Sequence, residues 1–81
     1  MLVDKETKLF VSVSSNPGNF GATLYNTAFR ELGINAIYKP LKIDSVYDLP
    51  KLLDVAPKLG VKGISVSMAW KKSIANFHGY Y

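Results

Sequence analysis

Apolar and polar residues alternate from Thr7 to Ser15 (TKLFVSVSS), with Leu9, Val11 and Val13 on one face and Phe10 on the other. A period of two, rich in β-branched and aromatic residues, predicts a strand. Asn16–Pro17–Gly18, a cluster of turn formers, ends it. Asn19 then suits a helix N-cap, its side chain placed to accept from the amides of the first turn. Phe20, Leu24, Ala28 and Leu32 recur at spacings of four and predict one buried helix face. Gly33 is the stop, because glycine takes the left-handed conformation cheaply.

Residues Ala36 to Ile43 (AIYKPLKI) predict a second strand, and Pro40, which lacks a ladder donor, puts it at a sheet edge. Asp44–Ser45 ends it. A second helix is expected from Asp48 to Leu59, with Asp48 as cap and Pro50 in the first turn. Its apolar face would be Leu49, Leu52, Leu53, Ala56 and Leu59. Pro57 removes the bond to the Leu53 carbonyl and predicts a kink or an early end. Gly60 to Gly63 reads as a turn. Ile64, Val66 and Met68 then alternate with Ser65 and Ser67 as a third strand, and a weak helical pattern follows from Lys71 to Phe77.

Strands joined through helices imply a parallel sheet with right-handed crossovers. The expected fold is α/β, a three-layer βαβαβ unit with strand order 2-1-3. That order leaves the third strand with a bare outer edge, where a second copy could pair.

Length turns this pattern into a question of stability. Eighty-one residues make a single domain, 1–81. A chain of that size buries only roughly 60% of its unfolded surface. It has no cysteine to form a disulfide, and His78 is its only histidine, too few for a metal site. Association would supply the missing stability, as a homodimer or with a separate domain. A hydrophobic content of 48% excludes a disordered chain. The net charge of +4 is spread along the sequence, with Lys71–Lys72 the one adjacent basic pair, so nucleic acid is not the expected partner. The opening residues lack the pattern of a secretory signal, and no apolar run approaches the ~20 residues that span a bilayer. A cytoplasmic protein is expected.

Ligands of open parallel sheets bind beyond the carboxyl ends of the strands. Residues 14–23, 44–47 and 67–72 converge there. The first segment opens a helix, whose free amides favour an anion, and the third brings an ammonium group. Hydroxyls of Ser14, Ser15, Thr23 and Ser67 could meet ligand hydroxyls; equally, Ser65 and Ser67 could be the polar face of a half-exposed strand and Asn26 mere surface decoration. The Gly60 and Gly63 pair follows a helix and precedes a strand, the reverse of a dinucleotide fingerprint. No cofactor site is visible.

The segment NPGNFGATLYNTAFRELG, Asn16 to Gly33, with INAIYKPLKI after it, resembles the opening of the catalytic lobe of the shikimate dehydrogenase family. GVKGISVSMAWKK, Gly60 to Lys72, is similar to that family's "G-NVT-P-K" block. The resemblance implies an oxidoreductase of aromatic amino acid biosynthesis that uses NADP. It puts the catalytic lysine on Lys71, which would exchange a proton with the substrate hydroxyl as hydride leaves the adjacent carbon. Such a lysine needs its pKa lowered from ~10.4. The substrate-contacting threonine falls on Ser67 and the asparagine two places earlier on Ser65. The carboxylate-binding serines lie in a loop two residues shorter here, nearest Asn19 and Gly21, so Ser14, Ser15 or Thr23 would supply hydroxyls instead. Asn26 matches the family asparagine, while Tyr25 stands for its histidine and Ala69 for its motif proline.

The family's catalytic aspartate, its later strands and its NADP-binding Rossmann domain have no counterpart in these residues. The expectation is a substrate-binding lobe for a small carboxylate-bearing polyol such as shikimate or 3-dehydroshikimate, without cofactor and with little or no activity alone. The alternative is a small self-associating module that keeps the fold without catalysis.

Overall fold

A computed structural model describes residues 3–67 of the chain. Its elements run β1 (Lys8–Ser14), α1 (Phe20–Glu31), β2 (Ala36–Lys42), a 3-10 turn (Val46–Asp48), α2 (Leu49–Val55), a second 3-10 turn (Ala56–Leu59) and β3 (Val61–Val66). Both strand pairs are parallel, and the sheet order is β2-β1-β3. This is the expected α/β architecture, with the first strand central.

The two helices take opposite faces of the sheet. On one face Val13 and Leu49 are fully buried, and Leu41, Ile43, Val46, Leu52, Leu53, Ile64 and Val66 pack around them. Leu49 comes from α2, so this face carries the aliphatic core. On the other face Phe10 meets Phe29 of α1, ring centroids 5.8 Å apart, and Tyr38 meets Tyr25 at 5.0 Å. Helix α1 lies mainly against β2. The described residues leave the β3 half of that face open.

The helix seats itself differently from its apolar stripe. Phe20 is 81% exposed, Leu24 53% and Leu32 72%, and no α1 residue is buried. Gly21, Ala22, Asn26 and Phe29 turn towards the sheet instead. A Cβ on Gly21 would stand 3.5 Å from the Tyr38 ring, which shows how closely the first turn approaches β2. The Asn26 amide is the other anchor. Its Nδ2 donates to the Tyr38 carbonyl at 2.9 Å, and its Oδ1 accepts from the Tyr38 N–H at 2.8 Å. Asn26 therefore does not decorate the surface.

Hydrogen bonds from Lys8 N–H to Asn35 O and from Ile43 N–H to Ser14 O show that odd-numbered residues of β2 face β1. In a parallel pair the even ones point away. Tyr38 and Pro40 are thus on the outer side, and Pro40 costs the ladder nothing. That is the edge position its ring demanded.

Three local expectations are corrected. Asn19 and Asp48 stand at helix starts, but neither side chain caps; Ser45 does, its Oγ accepting from the Tyr47 N–H at 3.2 Å. Both helix starts have αR backbone rather than the extended cap conformation, which turns the side chain away from the first-turn amides. Residues 60–63 are not one turn, because β3 begins at Val61. Gly60, at φ 88°, closes the second 3-10 turn, while Lys62 is an extra residue between the pairs Leu9–Val61 and Phe10–Gly63, a bulge. Leu59 is 74% exposed and leaves the apolar face of α2, because the helix tightens to 3-10 geometry after Val55. Pro57 sits in that tightened turn, as its missing donor requires. The helical pattern expected from Lys71 and the strand position of Met68 lie outside the described residues.

Candidate functional site

The open half of the α1 face is a groove with two compartments. Successive even residues of β1 bring Phe10, Ser12 and Ser14 to this face, and the register sets Gly63 beside Phe10 and Ser65 beside Ser12. Ser67 follows, its N–H donating to Val13 O at 3.2 Å. The strand ends thus gather four hydroxyls.

Towards the carboxyl ends lies a pocket of about 340 Å³, lined by Ser12, Ser14, Ser65 and Ser67, by Pro17 and Gly18 of the loop, by Phe20 and Gly21 of α1 and by Tyr38. Deeper along the sheet is an aromatic pocket of about 410 Å³, lined by Phe10, Tyr25, Phe29, Tyr38, Gly63 and Ser65 among others. Tyr38 and Ser65 belong to both. A wider crevice of about 570 Å³ lies at the opposite end of the strands, lined by Asp4, Lys5, Glu6, Lys8 and Lys62. Its charged side chains are exposed and of mixed sign, among half-buried apolar ones such as Leu9 and Ile37.

Ser14 carries the one unusual polar group. Its Oγ is shielded from solvent and has no hydrogen-bond partner among the described residues. A buried hydroxyl without a partner costs about 1–3 kcal/mol, which singles this position out among the described residues. Ser14 is also where the strand order switches, since its neighbours β2 and β3 are reached through helices on opposite faces. Crevices at such points are where open α/β sheets hold ligands. The start of α1, at Phe20 and Gly21, borders the same pocket. Its unpaired amides and positive dipole end favour a carboxylate or another anion there. No charged side chain lines either compartment among the described residues. Nor, among them, does any group of three or more His, Cys, Asp or Glu form a metal site, and no helix is long and apolar enough to cross a membrane.

Of the residues singled out from sequence, Ser14, Ser65 and Ser67 come together in the serine pocket. Asn19 and Thr23 do not line it. Both are exposed, and they are joined through the backbone, Thr23 N–H donating to Asn19 O at 3.0 Å. Lys71 lies outside the described residues. Gly21, one of the two positions nearest the family's carboxylate-binding serines, lines the pocket, while sequence reasoning missed Ser12 and Tyr38. Ser12 could have been found from the alternation that places it on the same face as Ser14; nothing in the pattern marked Tyr38 as a pocket wall.

The family model for the shikimate dehydrogenase substrate binding domain matches residues 19–80. The shikimate dehydrogenase-like protein of Haemophilus influenzae is 34% identical over 94% of this chain and 27% of its own length. The NADP(+) shikimate dehydrogenases of Pyrococcus furiosus and Thermococcus kodakarensis are 28% and 32% identical, again over 94% of this chain and 28% of theirs. A solved structure of a shikimate 5-dehydrogenase-like protein superposes with a TM-score of 0.82 at 34% identity, covering 94% of this chain and 27% of that one. The chain therefore spans little more than a quarter of the length of these relatives. With this fold, this groove and a match across most of its residues, the chain belongs to the family of shikimate dehydrogenase substrate-binding domains.

Proposed function

We propose that the chain holds a small carboxylate-bearing polyol of the shikimate type in the serine pocket, as the substrate-binding part of an NADP-dependent oxidoreductase whose cofactor is held by a separate Rossmann domain. The observation that carries this reading is the unpartnered Oγ of Ser14 at the wall of a pocket lined with serines. A turn of the Ser14 side chain into the pocket would give its Oγ a polyol hydroxyl as partner. The polyol's other hydroxyls would meet Ser12, Ser65 and Ser67, and its carboxylate would lie towards the first turn of α1. The pocket is at the lower end of the range for small-molecule sites, which suits a single six-membered ring.

Lys71, four residues beyond Ser67, is the proposed proton-transfer group, on the strength of its place in the family motif. The hydride acceptor would come from the cofactor domain, so the chain on its own binds without turning over. Asn19 and Thr23, which do not line the pocket, are assigned no direct contact.

Titration of the 81-residue chain with shikimate, followed through backbone amide shifts, tests the reading. Saturable shifts at Ser14, Gly21, Ser65 and Ser67, weakened in Lys71→Ala, are expected. Flat spectra at millimolar shikimate would overturn it.

A second reading, a self-associating module, is favoured by the exposure of Phe20, Leu24 and Leu32 along α1. Sedimentation that gives a monomer at micromolar concentration removes it.

A further inference from the structure

We infer that Tyr38 determines ligand specificity in this groove and that Asn26 is the residue that positions it; the inference rests on the proposed ligand and deepens it. Tyr38 divides the groove. Its ring packs beside Tyr25 in the aromatic compartment, while its phenolic oxygen lies 3.5 Å from where a Cβ of Gly21 would stand, at the serine compartment. The ring is thus placed by packing and the hydroxyl is left to the pocket. That hydroxyl makes no hydrogen bond among the described residues, since both bonds at Tyr38 involve its backbone.

A phenol at the mouth of a polar pocket can both donate and accept. It matches a ring hydroxyl of the ligand and offers nothing to a ring that lacks one. Sites built to pair a substrate hydroxyl discriminate strongly against analogues without it, because the site's own polar group is then left unpaired.

The direction of the ring depends on the backbone that carries it. Residue 38 lies on the outer side of an edge strand, where no neighbouring strand fixes its N–H and C=O. Asn26 fixes both, at 2.8 and 2.9 Å. Its role is positional, and it touches no ligand.

The 81-residue chain is titrated with shikimate and, separately, with cyclohexene-1-carboxylate, the same ring and acid without hydroxyls. Tyr38→Phe should weaken shikimate roughly three- to tenfold, the share of one neutral hydrogen bond. It should leave the weak binding of cyclohexene-1-carboxylate and the amide spectrum of the fold unchanged. Asn26→Ala should speed hydrogen exchange at the Tyr38 amide and weaken shikimate to a similar extent, although the phenol is intact. Wild-type binding with unaltered affinity in Tyr38→Phe overturns the inference and leaves the proposed ligand standing. Equal losses for both ligands in Tyr38→Phe overturn it too, because packing and not the hydroxyl is then at work. Unaltered shikimate affinity in a folded Asn26→Ala overturns the positioning role. If the wild-type chain binds no shikimate, the proposed ligand falls first and this inference with it.

Discussion

Gly63 and Phe10 are cross-strand partners in contact so close that a Cβ on Gly63 would come within 2.9 Å of Phe10 Cδ1. Phe10 in turn packs against Phe29, so its ring can yield only towards the open aromatic pocket and away from that packing. Gly63→Ala should therefore destabilise the chain by about 1–3 kcal/mol, the usual cost of overpacking. Urea unfolding measures it, and Phe10→Leu in the same background should return part of the loss. A Gly63→Ala chain as stable as the parent would contradict the packing described.

Leu49 and Leu59 look equivalent in sequence and are opposites in the fold. Leu49→Ala should cost about 2–5 kcal/mol, because its side chain is wholly buried beside Val13. A domain this size has a total stability of roughly 4–12 kcal/mol, so that loss alone threatens folding. Leu59→Ala should stay within about 0.5 kcal/mol. Parallel denaturant melts decide between them, and comparable losses would sink the assignment of the core.

Ser14→Ala separates stability from binding. Removing a shielded hydroxyl that has no partner should raise the unfolding free energy by about 1 kcal/mol. The same change should weaken shikimate roughly tenfold. A less stable variant would mean that the hydroxyl already has a partner within the chain.

On α1 the test is which side tolerates change. Leu24→Gln should leave stability within about 0.5 kcal/mol, since the side chain is largely in solvent. Ala22→Leu, on the side turned to the sheet, should cost about 1–3 kcal/mol. Thermal melts of the two variants report this directly; a reversed order would restore the apolar stripe as the buried face.

The strand order and the edge position of β2 were legible because each rests on a local rule. Period-two alternation marks the strands, and a missing N–H confines Pro40. The seating of α1 was not legible, because hydropathy weights large apolar residues such as Phe20 and Leu24. The helix instead approaches through Gly21 and Ala22 and is fixed by a polar clamp from Asn26, none of which stands out as hydrophobic. The bulge at Lys62 was hidden for a similar reason: glycines at 60 and 63 resemble a turn until the partner strand is known. In the pocket, Ser14 and Ser67 followed from their places at strand ends, and Ser65 from the resemblance of its segment to the family block. Asn19 was chosen for its place in the family loop and Thr23 for its hydroxyl, and the start of α1 leaves both exposed and away from the pocket.

The outer side of β2 has a consequence for how this sheet can grow. Four of its residues face outward: Ala36, Tyr38, Pro40 and Lys42. The Ala36 N–H is spent on Ile34 O at 2.9 Å, the Tyr38 N–H on Asn26, and Pro40 has none. Lys42 alone is left to donate, at the strand's last position and beside its own charge. A newcomer strand would find one donor there, so that flank is a poor template for recruitment. A further strand is better received beside β3, and the sheet of the described residues carries a built-in direction of extension.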